Sequence, residues 1–157
     1  MLVGLLAVHW LHIVAAIIWV GAQIYSALVL WPTLLRRPAG EARGLYEAMA
    51  VPAMRLMGPA GMVLLITGIL RGTWLGPVRS FEFLIATPYG LTFLTSIGLV
   101  VLLIAIGGGP PARLHERIWD GGVVREGAAA YLTRKSALSL ALLGGILVCM
   151  VLMRFGL

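Results

Sequence analysis

Charged side chains are scarce in this chain. Of its 157 residues, 12 are Lys or Arg and 6 are Asp or Glu, 11% together, against about a quarter in soluble domains. So few charges cannot cover a water-facing surface, which excludes a water-soluble globular domain. Cysteine is nearly absent as well. Cys149 stands alone inside an apolar run, which excludes an intramolecular disulfide and a thiolate metal site. No Asp or Glu lies well inside an apolar block, as a carboxylate-driven pump or antiporter would need. There is no P-loop, HExxH or CxxC motif. The period-2 alternation of a membrane β-barrel is missing too.

Hydrophobic residues make up 61% of the chain and fall in long blocks, and the mean hydropathy is +1.00. About 20 apolar residues suffice for a helix to cross the bilayer core. The blocks predict an all-α integral membrane four-helix bundle. It forms a single transmembrane domain over residues 1–157, with helices at about 2–31, 52–72, 86–107 and 133–153. The first block has no charged residue from Leu2 to Trp31 and is closed by Pro32. No basic stretch precedes it, so it reads as a retained helix rather than a signal peptide. The second starts near Pro52, carries Arg55 in its first turns as a snorkelling side chain, and is loosened at Gly58-Pro59-Ala60-Gly61. The third breaks at Gly107-Gly108-Gly109-Pro110-Pro111.

A net charge of +6 would suggest a nucleic-acid partner in a soluble protein. Here the basic residues flank spans, so the partner is the lipid bilayer and no nucleic acid is expected. The first and third loops hold Arg36, Arg37, Arg43, Arg113, Arg117, Arg125, Arg134 and Lys135, against Arg71, Arg79 and Arg154 on the other side. The positive-inside rule makes those loops cytoplasmic, with both termini on the outer side of the cytoplasmic (inner) membrane. Trp31 and Trp74 fit interfacial belts. The segment from Arg113 to Lys135 reads as a solvated connector, with His115 in solvent. Gly144-Gly145 allows close helix approach, and a homo-oligomer is compatible with the several glycines.

His9 and His12 stand out. Ionisable groups inside a span are costly, and three residues apart these two share a helix face. They lie about 10 and about 15 Å from the outer end at 1.5 Å per residue. A neutral imidazole there can ligate haem iron or copper, relay protons, or hydrogen-bond to a neighbouring helix, and the residues alone leave these open. Met57 and Met62, with Met49 and Met54 nearby, lie on the antiparallel second helix. A thioether with an imidazole suits copper(I) and is also an axial pair known for haem, while Met is equally an ordinary core filler. Thr92, Thr95 and Ser96 place hydroxyls at helical spacing on the third helix, where the common role is interhelical or backbone hydrogen bonding.

Leu11-His12 followed by Trp19 and Gly21 resembles the first span of two related families, the CopD-type copper-resistance membrane proteins and the HemJ-type protoporphyrinogen oxidases. Both place a histidine seven residues before a tryptophan, as His12 and Trp19 stand here. Arg43, Leu45, Tyr46, Pro52, Ala53 and Met54 resemble the start of helix 2 in the HemJ type. Thr67-Gly68 and Thr87-Pro88-Tyr89-Gly90 look more like the CopD type. Both families often carry a lysine in helix 3, where this chain has Ser96. Its sole lysine is Lys135.

The CopD resemblance implies copper handling, transport or delivery across the membrane. Its metal site for copper(I) would be His12, His9, Met57 and Met62. The HemJ resemblance implies a haem b protein carrying electrons or oxidising a lipid-soluble substrate, with His12 as axial ligand and Met62, Met57 or another protomer's histidine opposite. Arg55 or Arg71 would then pair with propionates, and Trp19 would belong to the cofactor site. Only in that case is the protein an enzyme, a haem-dependent oxidoreductase; no catalytic residue is assigned. A third reading is a ligand-free structural subunit with hydrogen-bonded histidines.

Overall fold

A computed structural model describes residues 2–107, 111–121 and 123–157. Among them, four helices are long and apolar enough to cross a membrane: Leu2–Leu35, Ala39–Gly72, Pro88–Gly107 and Ala128–Arg154. The first comprises α1 (Leu2–Tyr25), a π-helical turn (Ser26–Leu30) and α2 (Trp31–Leu35). Then come α3 (Ala39–Gly72), the short α4 (Phe81–Ala86), α5 (Pro88–Gly107), α6 (Pro111–Ile118) and α7 (Ala128–Arg154). Between α6 and α7 a minimal antiparallel hairpin pairs β1 (Trp119–Asp120) with β2 (Val123–Val124), Trp119 opposite Val124.

Large apolar side chains stay exposed along every long helix, among them Leu6, Ile17, Ile66, Leu102 and Val148. In water such a surface would drive aggregation. In a bilayer it is the lipid-facing shell, and helices satisfy their own backbone groups there.

Three helices run further than their sequence suggests; α7, expected at about 133–153, spans Ala128–Arg154. Pro32 lies inside the continuous helix Leu2–Leu35, just after the π turn, and does not end it. Helix α3 starts at Ala39, and Pro52 and Pro59 lie inside it without ending it. At 1.5 Å per residue its length is about 51 Å, well beyond a hydrocarbon core of about 30 Å. Its first turns therefore stand clear of lipid. They carry the ion pair Arg43–Glu47, Glu41 pairs with Arg37 just ahead of the helix, and Ala42 and Tyr46 are buried.

Helix α1 lies antiparallel along α3, and α5 along α7. The pairs meet around Ala15, Trp19, Ala60, Leu64, Leu103, Leu142, Leu143 and Ile146. At the other end a second core joins Trp31, Leu34, Ala42, Tyr46, Ile118, Trp119, Ala128 and Leu132. Trp31 thus packs inside, its ring 5.7 Å from that of Tyr46, instead of lying in an interfacial belt. Trp74 is 73% exposed.

The segment after Arg113 is also not a solvated connector. Its buried Ile118 and Trp119 close the second core, and Arg43 Nη1 donates to the Gly121 carbonyl at 2.8 Å. His115 is half-buried, with Nε2 3.1 Å from Glu47 Oε1 and its ring 5.2 Å from that of Trp119. Two apolar residues in an otherwise charged stretch are enough to anchor it. Gly108, Gly109 and Pro110, part of the expected break after the third span, lie outside the described residues.

Candidate ligand site

The spacing of seven between His12 and Trp19 is matched on α3 by Gly68 and Gly61. Seven residues make two helical turns, so each pair lies along one face. The antiparallel helices set one pair against the other. A Cβ at Gly61 would stand 2.8 Å from Trp19 Nε1, and one at Gly68 would stand 3.2 Å from His12 Cε1. Only glycine lets α3 approach both rings this closely.

His12 is buried, and its Nδ1 lies 2.8 Å from Thr67 Oγ1. Thr67 Oγ1 also lies 2.6 Å from the carbonyl oxygen of Val63, an acceptor that can only receive a proton. The hydroxyl has one proton to give. It donates to Val63 and therefore accepts from His12, which makes His12 the Nδ1–H tautomer. In that tautomer the lone pair lies on Nε2. A ring held by one nitrogen with the lone pair on the other is the arrangement that orients metal-ligating histidines.

His12 and His9 line a cavity of about 1030 Å³ between the two helix pairs. Trp19, Phe83, Phe93 and Val100 supply apolar wall, and Tyr89, Arg71 and Arg154 add polar groups. Ser96, standing where the lysine of the resembling families would be, also lines it. Its hydroxyl donates to the Phe93 carbonyl at 2.7 Å. Leu5, Leu6 and His9 share the cavity with Met153, Arg154 and Gly156, so both ends of the chain lie at this end of the bundle.

Of the residues singled out in the sequence, His12, His9, Trp19 and Arg71 come together here. Met57, Met62 and Arg55 do not line the cavity: Met57 packs on the central core, Met62 is 60% exposed and Arg55 is exposed. The thioethers in the cavity wall belong to Met150 and Met153. Sequence reasoning missed these, together with Arg154 and Tyr89. The partnership of Thr67 with His12 was within reach, because pairing the two spacings of seven sets His12 beside Gly68. Among the described residues no cluster of three or more His, Cys, Asp or Glu could hold a metal ion.

The four long apolar helices and their lipid-facing surface define a multi-pass helical membrane protein. No family model, curated protein or solved structure matches the chain.

Proposed function

We propose that this protein binds haem b in the cavity between the α1–α3 and α5–α7 pairs, where His12 would hold the iron through Nε2. The observation that carries the reading is the Thr67 hydroxyl, which holds His12 as the Nδ1–H tautomer and so puts the lone pair on its other nitrogen, on a ring that lines a large apolar cavity. The donor set fits the group. Aromatic and aliphatic walls suit a flat macrocycle, and the Arg71 and Arg154 guanidinium groups suit its propionates. Haem supplies one-electron redox chemistry when bound. The chain fixes the imidazole through Thr67 and offers the counter-charges of Arg71 and Arg154. Its activity is electron transfer or oxidation of a lipid-soluble substrate. By the distribution of basic residues, the end bearing the hairpin faces the cytoplasm and both termini face outward across the inner membrane.

One observation favours a second reading. The imidazoles of His9 and His12 share the cavity wall with the thioethers of Met150 and Met153, a soft set suited to copper(I) transport or delivery. This replaces Met57 and Met62 as sulfur donors.

The test is the visible spectrum of protein purified in mild detergent from haem-replete cells, oxidised and then dithionite-reduced, with copper analysis of the same sample. Sharp reduced b-type bands that vanish in His12→Ala support haem. A sample colourless even after haem addition overturns it, and stoichiometric copper lost in the His12 and Met150 variants would establish the second reading. With neither ligand bound, the protein is a structural subunit.

A further inference from the structure

The opposite end of the bundle holds a second cavity, of about 620 Å³, between the end of α5 and the start of α7. Its floor is apolar, with Ile106 and Leu138, and its wall carries Arg117, Arg134 and Lys135. No Asp or Glu lines it. The described ion pairs are Arg37–Glu41, Arg43–Glu47, His115–Glu47 and Arg125–Asp120, so none of the three cations has a carboxylate partner among the described residues. Arg117 stands over the ring of Tyr131, 5.5 Å from its centroid. It is close enough to the half-buried Lys135 for the two charges to repel.

Arg117 and Arg134 are exposed and Lys135 is half-buried, so three like charges at one pocket favour an anion from the surroundings. This end of the bundle lies where a span meets the headgroup layer, and the apolar floor continues along α5 and α7 toward the hydrocarbon. We infer that this pocket is a binding site for an anionic phospholipid. The headgroup phosphate sits among Arg117, Arg134 and Lys135, with Tyr131 beside it, and an acyl chain lies over Ile106 and Leu138. Phosphate at a basic pocket between membrane helices is a recurrent form of lipid recognition. The inference rests on the multi-pass architecture and is independent of what the histidine cavity holds.

Native mass spectrometry of the whole protein in detergent, titrated with phosphatidylglycerol or phosphatidylcholine, tests it. We expect one phosphatidylglycerol per chain retained in preference to phosphatidylcholine. Each cation removed should weaken binding about fivefold, and the triple variant Arg117→Gln, Arg134→Gln, Lys135→Gln about a hundredfold. The control Arg36→Gln, Arg113→Gln removes charge from the same end outside the pocket and should bind as the parent does. Equal loss in that control, or equal retention of both lipids, overturns the site. Inorganic phosphate that displaces the lipid at equimolar concentration overturns the lipid as its ligand. A melt without added lipid checks folding, and if the triple variant is unfolded the three single variants carry the same comparison.

Discussion

The two ends of this bundle are built on opposite principles. At the histidine end the helix pairs stand apart around a large apolar cavity, and the polar groups His12, Arg71 and Arg154 lie on its wall. At the hairpin end they are joined by tilted aromatic rings in contact and a chain of surface ion pairs, with Tyr46 and Trp119 at 5.0 Å and Glu47 bridging Arg43 and His115. The cavity lined by the histidines and the ring packing around Trp119 divide haem binding from stability. A substitution at the first should empty the site of a protein that still folds. One at the second should weaken the fold and leave the ligand in place.

The largest effect is expected from His12→Ala, which should abolish bound haem, read as Soret absorbance per protein, while the far-ultraviolet dichroism stays that of the parent. Retention of the full haem complement would remove the division at its root. Next comes Trp119→Ala, a loss of buried aromatic volume at about 3–5 kcal/mol, seen as early melting in detergent with haem stoichiometry unchanged before the melt. If haem were lost in step, the two ends would be one unit.

Thr67→Val keeps shape and removes the acceptor from His12 Nδ1. Ligand affinity should fall about 10- to 100-fold, as when other supporting partners of ligating histidines are lost, and Thr67→Ser should restore it. Haem-transfer kinetics to an apoglobin would measure both. The smallest effect belongs to Glu47→Gln. Its two ion pairs are exposed, and such pairs contribute little, so its melting curve should overlay that of the parent. A large shift would mean that the hairpin is held by charge rather than by Ile118 and Trp119.

The existence, number and approximate limits of the spans were legible because apolar runs between charged stretches are a strong signal. His12 was legible because an imidazole is conspicuous among leucines. Which face of each helix turns inward was not. In water, periodicity reveals the buried stripe, but lipid is as apolar as a protein core, so Met57 and Met62 look alike in sequence although one packs inside and the other faces out. Arg154 read only as flanking charge, since nothing local shows that it turns toward a cavity. The early start of α3 was hidden by its charges, which look like loop but belong to a helix that also buries Ala42 and Tyr46.

The π-helical turn at Ser26–Leu30 bears on both ends at once. An α-helix advances about 100° per residue. Uninterrupted, it would carry Trp31 roughly a quarter-turn away from the line of His12 and Trp19. A wider turn takes up about one residue more and brings the phase back. His12, Trp19 and Trp31 therefore lie on one meridian of a single rod, all three buried. The same rotation that presents an imidazole to the cavity seats an indole among the rings at the far end, and neither can be turned without turning the other.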